Sequence, residues 1–409
     1  MQVTIDQAID EVLQTARPSG TEEVDLLASF GRTLANDVIS PDHVPPFANS
    51  AMDGFALRAA DQRGERPRLR VVAELPAGQS IDEMLVQGAA VKIMTGAPLP
   101  PGADTVVQVE DTDMVDADVV LRSPVTAGMN VRPVGEDVRR GDLLLAAGDV
   151  VSAADLGVLA SAGLARVRVA RRPRIAILAT GSELVPVGSP LGPGQIPNSN
   201  SYTAYGQALD AGAEPVLLGI ARDDAEVPRA LLRRALDEDV VLTSGGVSVG
   251  DYDFVKQVQE ELGVERRFWG VRTKPGKPLA FGVRGETPVF GVPGNPVAAM
   301  VTFEVFVRPL LLTILGRRHI WRPWVVAEAA EPARRTKDRP ELRRCRLRHE
   351  EGRWVFSTTG PQGSAVLSSM ALADGLALVP SGFAGAEAGE SLPVMLLSGA
   401  ASERPPFPE

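Results

Sequence analysis

The sequence predicts a multidomain α/β plus β protein. Its centre is a doubly wound α/β domain at residues 171–316, with an inserted β module before it and a strand-rich tail after it. Three observations carry this. Between 171 and 316, short apolar runs alternate with helical stretches, the pattern of a mostly parallel sheet covered on both faces. Between 41 and 140 the texture changes to short strands separated by Gly/Pro turns. The helix expected at 152–162 resembles the one near residue 5 more than it resembles the β module. Residues 1–40 and 141–170 are therefore expected to form one split domain, with 41–140 inserted between them. A chain of 409 residues has room for several domains.

The elements follow in order. Residues 4–16 read as an amphipathic helix. Thr4 and Gln7 make a capping-box pattern, Ile5, Ala8, Ile9, Val12 and Leu13 form one stripe, and Pro18 closes it. Strands are expected at 69–74, 90–94, 105–109 and 119–121. A second helix has Ser152 and Asp155 at its start and Gly163 at its end. The α/β block then reads as strands at 174–179, 215–220, 240–243, 264–270, 279–283 and 288–292. Helices are expected at 200–211, 224–238 and 253–262, and a long one begins near 296. In the tail, 343–349 and 354–358 flank Glu350-Glu351-Gly352 as a hairpin.

Composition narrows the chemistry. Forty-two Lys and Arg against 52 Asp and Glu give a net charge of −10, a poor general binder of nucleic acid or anionic membrane. Any anionic ligand needs a local positive site. Only five residues are lysines, and two of them sit in one stretch, Lys274-Pro-Gly-Lys277-Pro. Cys345 is the single cysteine and the three histidines are dispersed, which excludes an intramolecular disulfide and a Cys-based metal site. A metal, if used, is expected to be a hard cation such as Mg²⁺ on carboxylates. The first residues lack a basic segment followed by an apolar core, and Arg308-Pro309 is expected to break the longest apolar run. The protein therefore reads as soluble and cytoplasmic. Residues 317–349 hold eleven basic and four acidic side chains and read as a solvated strand face.

In open α/β sheets, ligands bind beyond the carboxyl ends of the strands. Five segments follow the strands of 171–316: Thr180-Gly181-Ser-Glu183, Arg222-Asp223-Asp224, Ser244-Gly245-Gly246-Val-Ser248-Val-Gly-Asp251-Tyr-Asp253, Lys274-Pro-Gly-Lys277-Pro and Pro293-Gly-Asn295-Pro296. Glycines let backbone N–H groups approach phosphate oxygens, lysines add point charges, and Glu183, Asp223 and Asp253 offer ligands to Mg²⁺. Asp224 and Asp253 equally suit helix N-caps. Gly246-Val-Ser248-Val-Gly250 matches a nucleophile-elbow pattern, but Ser248 lies past the strand end and His319 and His349 fall in the tail. No GxxxxGK[ST] loop is present.

Taken together, these residues resemble the molybdopterin molybdenumtransferase family, the MoeA proteins and the related C-terminal part of gephyrin. Further matches are Pro45-Pro46-Phe-Ala-Asn-Ser-Ala-Met-Asp53-Gly, Ile93-Met-Thr95-Gly-Ala with Gly102-Ala-Asp104, and Gly135-Glu136-Asp137. The resemblance implies an elongated split domain, an inserted β domain, a MogA-like α/β domain and a C-terminal β-barrel at 317–409. It implies the final step of molybdenum cofactor synthesis: adenylylated molybdopterin plus molybdate gives the cofactor and AMP, with Mg²⁺. It implies a homodimer whose site is completed by Asp53 and Thr95 from the partner subunit, and contact with the adenylyltransferase of the preceding step.

By the same resemblance, Thr180, Gly181, Ser244, Gly245, Gly246 and Ser248 would hold the pterin phosphate or adenylyl group. Glu183, Asp223 and Asp253 would manage Mg²⁺ or molybdate, and Lys274 and Lys277 would stabilise anions. Pro293, Asn295 and Pro296 would shape the neighbouring loop, and Ser364 and Ser368 carry over from the tail. Asp223 against Asp224, and Asp251 against Asp253, stay open, as does molybdate against tungstate. Two alternatives are a molybdopterin adenylyltransferase and a non-enzymatic gephyrin-like scaffold. The β module and tail argue against the first, and the absence of an added linker or partner domain against the second.

Overall fold

A computed structural model describes residues 2–221, 226–245, 260–335 and 338–398. At its centre lie six strands: β1 (Arg174–Thr180), β2 (Glu214–Ala221), β3 (Val240–Ser244), β4 (Glu265–Trp269), β5 (Ala280–Arg284) and β6 (Thr287–Val292), in the order β2-β1-β3-β6-β5-β4. The first four in that order are parallel, while β5 runs antiparallel to both β6 and β4. Two reversals restore direction, so β4 points the same way as β6. The chain therefore leaves β1, β2, β3, β4 and β6 at one common edge. The continuous apolar run of β1 and β3 has its reason here, since both are central and buried along almost their whole length.

Two apolar layers cover the sheet. On one face, Ile175 and Ile177 pack with Ala204 and Ala208 of the helix Asn200–Asp210 and with Val297, Leu310 and Leu311 of the last helix. On the other, Ala176, Leu178 and Val241 pack with Leu232 and Leu236. The helix expected at 224–238 is observed as Glu226–Ala235, and most of the one expected at 253–262 lies outside the described residues.

The first helix, Ile5–Leu13, forms its capping box between Thr4 and Gln7. Its apolar face packs into the α/β core, away from the apolar cluster around Leu34. Ile5, Ala8, Ile9 and Val12 are buried in the α/β core, and Val3 bridges the loop after β4 through Val3 N→Gly270 O and Arg272 N→Val3 O. The reason is the stripe itself: an amphipathic helix settles where its apolar face finds the largest partner surface.

Residues 21–25 pair antiparallel with 166–170, and Val38–Ile39 pairs with Leu143–Leu145, around Leu34, Leu159 and Val169. Between these segments lies a six-stranded sheet that includes Gly54–Leu57, Arg68–Leu75, Ala89–Ile93 and Thr105–Gln108. The tail closes a barrel from Trp324–Ala329, Arg353–Thr358, Glu341–Glu350, Gly375–Val379 and Ser391–Leu396. Glu350 pairs with Arg353, so the hairpin turn is Glu351-Gly352, one residue shorter than expected. Both turn residues have positive φ, which suits a two-residue turn.

Two expectations about charged residues need correction. Arg308-Pro309 does not break the last helix, which runs through Pro296–Ile314 and is the one helix among the described residues long and apolar enough to cross a membrane. Eighty-nine per cent of it is buried in the core. A π turn at Phe303–Val307 admits Pro309 at the start of the following α turn, and Arg308 N–H bonds back to Phe303 O. Nor is 317–349 simply a solvated face. Arg346 and Arg348 are exposed, but Arg344 is 1% exposed and Arg322 is 7%. Arg322 bonds Glu304 and Asp210, each at 2.9 Å.

Cys345 lies buried in the barrel, and burial pushes its thiol up to about 12. The thiol therefore stays protonated at neutral pH. Native protein is expected to resist a thiol-specific chromogenic reagent at pH 8 and to react with one equivalent on unfolding. Rapid labelling of native protein would contradict this placement.

Candidate active site

The common strand edge is built by close backbone packing. Thr180, at the end of β1, donates from Oγ1 to Ser244 O at 3.1 Å. Gly181 N–H bonds Ala221 O at the end of β2, and Gly245 N–H bonds Val292 O at the end of β6. A side chain at Gly245 has no room, since its Cβ would come within 2.4 Å of Thr180 O, and φ is +89°. A Cβ at Gly181 would meet the Glu183 carboxylate at 2.5 Å, so glycine lets that carboxylate fold over the backbone. The tips of β1, β3 and β6 thus form one tight surface. Ser244 Oγ is buried there without a hydrogen-bond partner among the described residues.

The Pro293–Pro296 segment sits beside it. A Cβ at Gly294 would lie 3.8 Å from Gly245 Cα, and Asn200 Nδ2 donates to Gly294 O at 2.8 Å. Pro293 is buried, Asn295 is exposed at the N-cap of the last helix, and Pro296 opens that helix. The tail reaches the same place. Val297 N–H, in the first turn, bonds Ser364 O at 3.0 Å, while Ser368 is exposed at the start of the short helix Ser368–Ala371.

The two lysines part company. Lys274 Nζ lies 3.1 Å from Glu341 Oε1 in the barrel, and backbone bonds Lys274 N→Pro340 O and Leu342 N→Lys274 O stitch the two domains together. Lys277 is exposed on the same loop. Glu341, 2% exposed, also receives Arg343 Nη1 at 3.1 Å. Among the described residues, the Nε atoms of Arg343 and Arg339 are buried without a hydrogen-bond partner. The junction is therefore cationic.

Sequence reasoning missed this barrel contribution. Arg344 is its organiser: its guanidinium donates to the carbonyls of Pro361, Gln362 and Gly363 and to Ser369 Oγ. Strand alternation gave no signal, because Arg344, Arg346 and Arg348 share one face of the strand and the 361–369 segment covers only the first.

A curated relative named molybdopterin molybdenumtransferase, from Bacillus subtilis, is 36% identical over 97% of this chain and 94% of its own length. The chain belongs to the MoeA family. A relative named molybdopterin molybdenumtransferase 2, from Mycobacterium tuberculosis, is 38% identical over 95% of this chain and 97% of its own. Residues 3–163 match the MoeA N-terminal region (domain I and II), 176–313 a probable molybdopterin binding domain, and 326–397 the MoeA C-terminal region (domain IV). The solved molybdopterin biosynthesis MoeA protein of Pyrococcus horikoshii aligns with a TM-score of 0.86 at 34% identity, covering 98% of this chain and all of that one.

In this MoeA chain, Asp53 and Thr95 meet in the β module. Thr95 donates to Asp53 Oδ1 from its backbone N at 2.7 Å and from Oγ1 at 2.6 Å. These bonds, the hydroxyl first, hold the Asp53 carboxyl below its ordinary 3.8. A depressed folded pKa stabilises above the unfolded pKa and is lost as pH falls through the folded one. In Thr95→Val the carboxyl, followed by NMR titration, is expected to move up toward 3.8 but not reach it, because the backbone donor stays. An unchanged pKa would refute this account of the pair. Among the described residues, no hydrogen bond or ion pair joins this module to the α/β domain of the same chain.

Asp223, Asp224, Gly246, Ser248, Asp251 and Asp253 lie outside the described residues. Among the described residues, no three His, Cys, Asp or Glu side chains converge as a metal site. Glu183 is exposed on the shared edge and suits a hard cation as one oxygen ligand.

Proposed function

We propose that this MoeA-family chain is a molybdopterin molybdenumtransferase that inserts molybdate into adenylylated molybdopterin and releases AMP. The observation that carries the reading is the convergence on one edge of glycine-pinned strand tips, the Lys277 loop and the cationic seam with the barrel. The reaction cleaves a phosphoanhydride through attack by a molybdate or water oxygen, and AMP leaves as the anion. Thr180, Gly181, Ser244 and Gly245 form the floor that the phosphates rest on, where glycine allows close approach to the backbone and the Ser244 hydroxyl has a hydrogen bond to give. Lys277 meets the charge that grows on the leaving phosphate. Pro293, Asn295 and Pro296 shape the wall beside it, and Ser364 and Ser368 close the barrel side. Glu183, with Asp223 and Asp253, would hold Mg²⁺, which would supply further charge neutralisation.

The barrel favours this reading over adenylyl transfer from ATP, because Lys274–Glu341 and Val297–Ser364 tie the tail into the candidate site. We further propose the four-domain division, with Ile5–Leu13 joined to the α/β domain, and a cytoplasmic homodimer in which the partner's β module completes the site. Contact with the preceding adenylyltransferase belongs to the same reading. The test is incubation of purified protein with adenylylated molybdopterin, Mg²⁺ and either molybdate or tungstate. AMP release that requires the oxyanion supports the proposal. Turnover of ATP without oxyanion would instead identify an adenylyltransferase.

A further inference from the structure

Beside the strand edge lies a cavity of about 320 Å³ that no step above uses. It opens between the helix Asn200–Asp210 and the edge strand β2. Val187, Tyr202, Leu217 and Ile220 form its apolar walls, and Asn198 and Ser201 its polar floor. Three of these wall residues are large apolar side chains left in solvent: Val187 at 53%, Tyr202 at 58% and Leu217 at 46%. The floor is already paired, since Asn198 Nδ2 donates to Ser201 Oγ at 2.9 Å and Ser201 N donates back to Asn198 Oδ1 at 3.2 Å. A ligand here gains apolar and aromatic contact and few hydrogen bonds.

The cavity is linked to the phosphate-facing edge by short stretches of chain. Ile220 adjoins Ala221, whose carbonyl holds Gly181 N. Asn198 and Ser201 flank Asn200, which holds Gly294 O. Val187 is four residues beyond Glu183. Such stretches span at most about 14 Å even when fully extended. A group in the cavity and a phosphate at the edge therefore fit within one nucleotide. A volume near ~300 Å³ is at the small end of ligand pockets, enough for a bicyclic ring with part of a sugar.

We propose that this cavity is the adenine subsite for the adenylyl group, with Tyr202 stacking on the ring. The proposal rests on the transferase reading above. Adenine suits it better than the pterin, whose amino-oxo edge demands several donors and acceptors that an apolar wall and a self-paired floor do not offer.

The test compares AMP with ribose 5-phosphate by calorimetry on the full chain, wild type and the variants Tyr202→Ala and Val187→Trp. Both positions are exposed, so the fold is expected to survive, and thermal melts verify this. Wild type is expected to bind AMP more tightly than ribose 5-phosphate. Each variant is expected to lose about tenfold or more in AMP affinity, the range for base–aromatic stacking, with ribose 5-phosphate unchanged. If wild type binds neither compound, the transferase reading falls and the subsite with it. Equal wild-type affinities, or folded variants that bind AMP like wild type, overturn the subsite alone. Loss of free pterin binding in the variants with AMP unaffected would assign the cavity to the pterin and also overturn it.

Discussion

Lys277→Ala is expected to lower molybdate-dependent AMP release by about 100-fold or more, the scale for losing one preorganised partner of a developing oxyanion, with no change in Tm. The structural part of the claim comes from the loop's backbone. Val271 N–H holds Lys277 O, Gly270 N–H holds Leu279 O, and Gly276 is seated against Thr302, where a Cβ would come within 2.7 Å of Oγ1. The Lys277 side chain is exposed, so its removal leaves that scaffold intact. Lys274→Ala should behave differently. It removes a partner 3.1 Å from a carboxylate that is 2% exposed, so both Tm and activity are expected to fall. Lys277→Arg keeps the charge, yet a rigid planar fork does not replace a compact ammonium. Its rate is expected to lie between those of the wild type and Lys277→Ala. AMP release and thermal melts on the three variants decide the matter. A folded Lys277→Ala with the wild-type rate would remove Lys277 from the mechanism.

The pair of rare lysines shows what the sequence makes legible and what it does not. Their loop was readable, because an apolar strand followed by Pro and Gly marks a strand end. That the loop shares an edge with the tips of β1, β3 and β6 follows from the direction of β4, which two antiparallel steps set. The partner of Lys274 was not readable. Glu341 stands 67 positions away, in a segment that local charge counting assigns to solvent. The surface that receives the first helix was unreadable for the same kind of reason. The helix's periodicity fixed which face is buried, but the surface receiving that face is built from residues some 170 to 310 positions later. Pro309 marks another limit, since a π turn removes the clash that its position in the sequence implies.

Arg344→Met is expected to destabilise the barrel by about 2–4 kcal/mol and to weaken activity as well. Four hydrogen bonds from the guanidinium are lost, and three of their acceptors are successive carbonyls, Pro361, Gln362 and Gly363. The methionine thioether has no donor to offer them. Opposing this, burial pulls the Arg344 pKa down to about 10 from 12.5, so the folded chain holds that proton less tightly than the unfolded chain does. The charge therefore costs stability at every pH below about 10, and Met removes that cost. The bonds outweigh it because they are charge-assisted and several, whereas methionine matches only the volume. The functional effect passes through Ser364, which follows the Arg344-held carbonyls and caps Val297 at the helix beside Pro293–Pro296. Urea titration measures the first effect, and the kcat and KM of AMP release measure the second. Arg344→Lys, which keeps a donor but not the fork, is expected to recover part of the stability. A Met variant as stable as wild type would mean that the 360–369 segment holds its shape without Arg344.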